Sequence, residues 1–323
     1  MRFGIYVGSR AGATCAGPAD PQRIGPLVDD LSGGRPFVIR EYVHWCGGNT
    51  GLEQEIDAAG DLDHLTMPDD WYVTGGRELD LVLSYLPPVA DLDGWLAFID
   101  RALDRYGHLV KYLQVTLEAN FPIPRIDGSS PGVIAALTQG LPYARTRVRD
   151  GVQVGFSLAE PAEWLGGDDP FWKELGASPI HADYVGLGLY PDGFSPHDDV
   201  HGATLHAVDH LRRRLTEAHF PPDVPIHIAE AGSPSGAHRT RDGQVCSLTA
   251  LIDASEAAGA AQFELFALSD ADSAADSPLG TFGLCTGDYA RKPAFDTYRS
   301  AVRSAETHQR PRMRSRQERP SGS

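Results

Sequence analysis

Eight apolar, strand-like runs recur along this chain, each followed by a polar or Gly/Pro turn and then a helix-compatible stretch. They are FGIYV (3–7), PFVIREY (36–42), LDLVLSY (79–85), VKYLQVTLE (110–118), VQVGFSL (152–158), DYVGLGLY (183–190), PIHIAE (225–230) and AQFELFAL (261–268). The clearest helical stretches cover 94–106, 130–149, 161–175, 202–218, 244–258 and 292–303. Asp93 and Ser130 stand where helix caps belong. Eight such units in 323 residues predict an α/β fold, a single (β/α)8 TIM barrel. A doubly wound open sheet needs a Gly-rich phosphate turn after an early strand, and GSRAGATCAG (8–17) lacks the GxGxxG spacing. The interval 46–78 has the weakest helical pattern. The barrel is expected over 1–303, with a disordered Arg-rich tail over 304–323 that carries five arginines and no apolar periodicity.

Composition narrows the partners. Hydrophobic residues make up 41% of the chain, enough for a sizeable core, yet no run approaches the ~18 apolar residues of a membrane span. The formal charge of −16 disfavours nucleic acid and anionic membranes and tolerates a neutral or cationic small molecule. The four cysteines, Cys15, Cys46, Cys246 and Cys285, form no CxxC pair, so free thiols in a reducing compartment are expected. MRFGIYVGSRAG reads as a strand and turn rather than a signal peptide, which predicts a cytoplasmic protein.

Alternation divides each strand between a face packed on helices and a face lining the lumen. Val185, Leu187 and Leu189 go to the helices, leaving Gly186, Gly188 and Tyr190 inward; Val154, Phe156 and Leu158 alternate with Gly155 and Ser157. In the fourth run Leu113, Val115 and Leu117 take the helix side, so Gln114, Thr116 and Glu118 face the lumen. In the seventh, Ile226, Ile228 and Glu230 share a face.

Barrel enzymes place their chemistry at the carboxyl ends of the strands. Glu118 ends the fourth run and Glu230 ends the seventh. Two carboxylates across one mouth are what retaining glycoside hydrolysis requires: one protonates the leaving oxygen and the other attacks the anomeric carbon. With this order of segments the chain resembles the clan A glycoside hydrolases, retaining (β/α)8 enzymes with the acid/base after strand four and the nucleophile after strand seven. The resemblance rests on FVIREY (37–42), QVTLEANFP (114–122), VGLGLYPDGF (185–194), IAEAGSPSG (228–236) and FGLCTGDYARKPAF (282–295), and spans nearly all of 1–303.

That resemblance implies a retaining O-glycoside hydrolase, or a transglycosylase, acting on a small carbohydrate or glycosylated metabolite without a cofactor. Glu118 would be the general acid/base and Glu230 the nucleophile. Arg40 would keep Glu230 ionised, Tyr190 would bond the nucleophile or the sugar, and Asn120 would add a polar contact. Trp45, Trp71 and Phe121 are candidate platforms for an apolar sugar face. Three positions depart from the family pattern. Leu117 replaces an Asn whose amide binds the sugar 2-hydroxyl, Gly188 replaces a frequent His, and Phe266 or its neighbours stand where Trp is usual. These leave open a second reading, a catalytically lapsed barrel that binds a carbohydrate or a protein. A third would use the histidines of HDDVHGATLHAVDH (197–210) in a metal hydrolase, although barrel metal ligands usually sit at strand ends. Glu160, Asp270 and Asp272 are competing carboxylates.

Overall fold

A computed structural model describes residues 1–8, 18–49, 51–52, 65–160, 169–236 and 239–305. Eight parallel strands pair in chain order and close into a barrel: β1 (Arg2–Tyr6), β2 (Phe37–Trp45), β3 (Arg77–Tyr85), β4 (Val110–Val115), β5 (Gln153–Ala159), β6 (Tyr184–Leu189), β7 (Ile226–Ala231) and β8 (Gln262–Leu265). Around it lie α1 (Pro21–Ser32), α2 (Leu92–Tyr106), α3 (Val133–Arg145), α4 (Asp169–Ala177), α5 (Val200–Glu217), α6 (Arg241–Ala257) and α7 (Pro293–Ser304). Between β2 and β3 the described residues contribute a 3-10 turn, Asp69–Val73. The expected tail lies outside the described residues from 306 onward, and Ser304 itself belongs to α7. Of the helix expected over 161–175, residues 161–168 also lie outside the described residues.

Capping side chains set several helix starts. Asp91, Asp199 and Thr240 accept hydrogen bonds from the backbone N–H of Gly94, Gly202 and Gly243, and removing such a cap costs about 1 kcal/mol. The cap of α2 is therefore Asp91 rather than Asp93. α3 begins after Gly132, whose φ of 82° is open to glycine at little cost, rather than at Ser130.

The outer strand faces supply the main core. Val154, Phe156 and Leu158 of β5 and Val185, Leu187 and Leu189 of β6 all pack there, as alternation requires. Leu117 does not. It joins Tyr6, Tyr42, Val82 and Ala267 in a separate apolar cluster, against Phe266 and Ile126. The helix-facing placement of Leu117 is thus overturned.

Candidate active site

Inward side chains stack in layers up the lumen. The lowest holds Val38, Tyr112 and Tyr184, with the His227 ring stacked on Tyr184 at 4.2 Å. Above it lies Arg40, with its side chain only 1% exposed. Its guanidinium donates to Asp80 (3.0 Å), Gln114 (3.0 Å) and the Tyr42 oxygen (2.7 Å), with Glu264 at 3.9 Å. A buried cation persists only when paired and hydrogen-bonded, and these groups meet that condition. Burial works against the charge, but Glu264, Asp80 and Glu230 hold it in place.

Glu230 reaches the next layer through a β-bulge. Ile228 pairs with Leu187 and Glu230 with Gly188, so β7 carries one extra residue against β6. The same excess recurs against β8, where Ile228 pairs with Phe263 and Ala231 with Leu265. A bulge of this kind re-aims the side chains beyond it. Ile226 and Ile228 remain in the outer core while Glu230 turns inward, which overturns their expected common face. Tyr42 donates to Glu230 Oε1 at 2.6 Å, Arg40 donates to the same oxygen at 3.3 Å, and Tyr190 donates to Oε2 at 3.0 Å. Burial holds both phenols well above the ordinary tyrosine pKa, so they remain donors.

Glu118 arrives by a different break. β4 ends at Val115, and Thr116 (φ 70°) and Glu118 (φ 46°) both enter the left-handed region. Such backbone persists where surroundings over-determine it, particularly for a β-branched residue. Here Thr116 N–H donates to the Leu83 carbonyl (3.0 Å), Leu117 N–H to Asp127 Oδ2 (2.8 Å) and Glu118 N–H to Ser157 Oγ (3.0 Å). Asp127 also accepts from Ser84 Oγ and Tyr85 N–H, tying the ends of β3 and β4 together, and burial lifts its carboxyl to about 7. With alternation broken, both Leu117 and Glu118 face the mouth.

The Glu118 carboxyl fills the space that a Cβ at position 188 would take. Gly188 is also the register partner of Glu230, so the two carboxyls converge over one glycine. Burial, then the negative charges of Glu230 and Glu160, push the Glu118 pKa well above the carboxylate range, against a smaller opposing influence of Arg40. Glu160, at the end of β5, is raised by burial to about 7 and accepts the Tyr190 backbone N–H.

The remaining expected residues divide. Arg40 and Tyr190 meet at Glu230. Trp45 does not join them: its ring lies 5.5 Å from Tyr85, 5.9 Å from Trp95 and 6.4 Å from Phe98, in the helix layer. Alternation explains this, because Arg40, Tyr42 and His44 take the inner positions of β2. The Trp45 platform is corrected to a packing role. The Asn120 amide is engaged at both ends by the Ala159 backbone, donating at 3.2 Å and accepting at 2.8 Å, which fastens the loop after β4 to β5. Trp71 lies under Arg77 at 4.3 Å, beside the first residue of β3 and away from the mouth. Phe121 follows Glu118 in its loop and donates its N–H to the Glu118 carbonyl. Asp270 is paired with the buried Lys292. The rings of His206 and His210 lie 6.4 Å apart on α5, and among the described residues no three His, Cys, Asp or Glu side chains converge in a metal-holding group.

Sequence reasoning missed Tyr42, although it sits two positions from Arg40 on the same strand face. It also missed His44, whose ring lies parallel to Tyr42 at 6.2 Å and which burial lowers to about 4. Phe266 stacks on Tyr6 at 5.2 Å, partly buried against the cluster that holds Leu117.

No protein-family model matches the sequence, and no curated protein sequence matches it. Solved structures do match. A family 39 glycoside hydrolase from the gut symbiont Bacteroides cellulosilyticus WH2 superposes with a TM-score of 0.61 at 14% identity, over 94% of this chain and 63% of that one. The chain shares the closed (β/α)8 barrel fold of that structure. A β-glucuronidase from Ruminococcus gnavus, solved with D-glucaro 1,5-lactone, gives a TM-score of 0.56 at 12% identity, over 93% of this chain and 49% of that one. The same enzyme solved with D-glucuronic acid gives 0.55. The chain spans less than two thirds of the length of either matched structure.

Proposed function

We propose that the protein is a retaining O-glycoside hydrolase, or a transglycosylase by the same chemistry, acting on a soluble glycoside. Glu118 is the general acid/base and Glu230 the nucleophile. The observation that carries this reading is the unlike setting of two carboxyls that converge over Gly188. Glu230 is gripped by Tyr42, Arg40 and Tyr190, which fixes its carboxyl oxygens in place for attack. Glu118 is buried against like charge, which keeps a proton available for the leaving oxygen. Arg40 and Tyr190 position the nucleophile. Cys246 and Cys285 are in no disulfide, which supports a cytoplasmic location, and no described helix is long and apolar enough to cross a membrane.

A second reading, a lapsed barrel that binds a carbohydrate, is favoured by Leu117, which brings an apolar side chain to the mouth where an amide would bond a hydroxyl. Gly188 lends that reading no support, since Glu118 itself needs the space. The deciding experiment is turnover of a panel of activated aryl glycosides, with the configuration of the first product followed by NMR. Retention supports the proposal and inversion overturns it. Inertness toward every sugar, with a sugar still raising the melting temperature, establishes the second reading.

A further inference from the structure

Arg40 is surrounded by more carboxyls than its single charge can balance. Its Nη1 donates to Asp80 at 3.0 Å and lies 3.9 Å from Glu264, while its Nη2 donates to Gln114 and Glu230. Asp80 on β3 and Glu264 on β8 are fully buried, and neither touches the mouth. With all three carboxyls ionised, a closed lumen would hold uncompensated negative charge, which burial penalises heavily.

The Asp80 and Glu264 carboxyls lie within hydrogen-bonding reach of each other. That bond needs a proton between them, because an ionised carboxylate only accepts. Each also keeps one oxygen, Asp80 Oδ1 and Glu264 Oε2, to which no N–H or O–H of the protein donates. The Tyr184 hydroxyl does not reach them, since it is itself without a partner. Geometry also places the proton. Asp80 takes the direct bond from the guanidinium, whereas Glu264 accepts from the neutral Gln262 amide at 2.8 Å. The other titratable groups facing the pair add no charge. Burial keeps the phenols of Tyr112 (β4), Tyr184 (β6) and Tyr298 (α7) protonated and lowers His227 (β7) to about 3. Arg2 and Glu78 are paired with each other beyond Tyr112.

We infer that Asp80 and Glu264 share one proton, carried mainly by Glu264, and that this neutral acid is a positioning residue: it fixes Asp80 against Nη1 of Arg40 and so leaves Nη2 to hold Glu230. The positioning role rests on the reading of Glu230 as the nucleophile; the shared proton does not.

Two measurements test this. The first needs no substrate: the infrared difference spectrum between wild type and Glu264→Gln at about pH 8, where Asp127 and Glu160 have largely lost their protons. A carboxylic-acid carbonyl band present in wild type and lost in the variant supports the shared proton, and loss of carboxylate bands instead overturns it. Should Glu264→Gln not fold, the band is read in Glu118→Gln with isotope-labelled glutamate carboxyls, and a band that fails to shift overturns the assignment to Glu264. The second is the pH profile of kcat/KM on a glycoside that is turned over. Glu264→Ala removes the donor to Asp80, so the guanidinium is drawn from Glu230; kcat falls about tenfold with little change in KM, and the acid limb moves to higher pH. Glu264→Gln, whose amide copies the donor of the protonated acid, restores kcat and returns the limb to its wild-type place. A limb that moves to lower pH in Glu264→Gln shows that a negative charge was removed and overturns the inference, as does a loss equal to that of Glu264→Ala. If no glycoside is turned over, the infrared band supports the shared proton while the catalytic reading fails, and its absence overturns the inference.

Discussion

The ends of β4 and β7 each deliver a glutamate to the same mouth and do so in opposite ways. At β7 an extra residue bulges the strand, and the carboxyl it re-aims is met by two phenols and a guanidinium. At β4 left-handed backbone at Thr116 and Glu118 carries the side chain inward, where burial and two neighbouring carboxylates crowd it. The first carboxyl is held by three hydrogen-bond donors, whereas desolvation and like charge push the second toward its protonated form. Identical residues thus acquire different chemistry from the backbone that presents them.

The contrast predicts unequal consequences for substitution. Glu230→Ala lowers kcat on the order of 10⁴-fold, and azide restores part of it with inverted product, as product NMR would show; restoration with retained product breaks the nucleophile assignment. Glu118→Ala lowers kcat/KM by about 10²–10⁴-fold on poor leaving groups but much less on dinitrophenyl glycosides, which leave without a proton. An equal loss on both substrates would remove Glu118 from the acid role. Gly188→Ala places a methyl group where the Glu118 carboxyl lies and lowers kcat by about 10²-fold through misplacement. Because that space belongs to Glu118, its activity loss should follow the same dependence on leaving group as Glu118→Ala.

The smallest effect concerns pH. The charge of Glu160 raises the Glu118 pKa, and Glu160 itself titrates at about 7. Glu160→Gln removes that charge, so Glu118 loses its proton more readily. The alkaline limb of kcat/KM then moves to lower pH, and the displacement develops above pH 7 because Glu160 is largely neutral below it. A limb that stays in place, measured over the full pH profile, would mean that another group sets it.

Much of the fold was legible in the chain because a closed parallel barrel repeats one pattern, an apolar run, a turn and a helix, which local sequence encodes. Val154, Phe156 and Leu158, or Val185, Leu187 and Leu189, could be assigned to the outer core from alternation alone. Arg40 and Tyr190 were legible as partners of Glu230 through resemblance, and their contacts are present. Trp45 was misjudged even though alternation from Arg40 already placed it outward.

Alternation failed at Leu117 and Glu230, where the site is built, and the cause is the same at both. A bulge or a left-handed residue is stabilised by distant partners, here Asp127, Ser157 and the neighbouring strands β6 and β8, rather than by the residues on either side. Gly188 makes the same point, since its lack of a side chain is explained only by a carboxyl 70 residues earlier in the chain. The sequence by itself determined the strands, their order and which carboxylates lie near their carboxyl ends, because periodicity is local. Tertiary structure decided which way those carboxylates point and which groups surround each, because orientation and desolvation depend on groups that only closure of the barrel brings together.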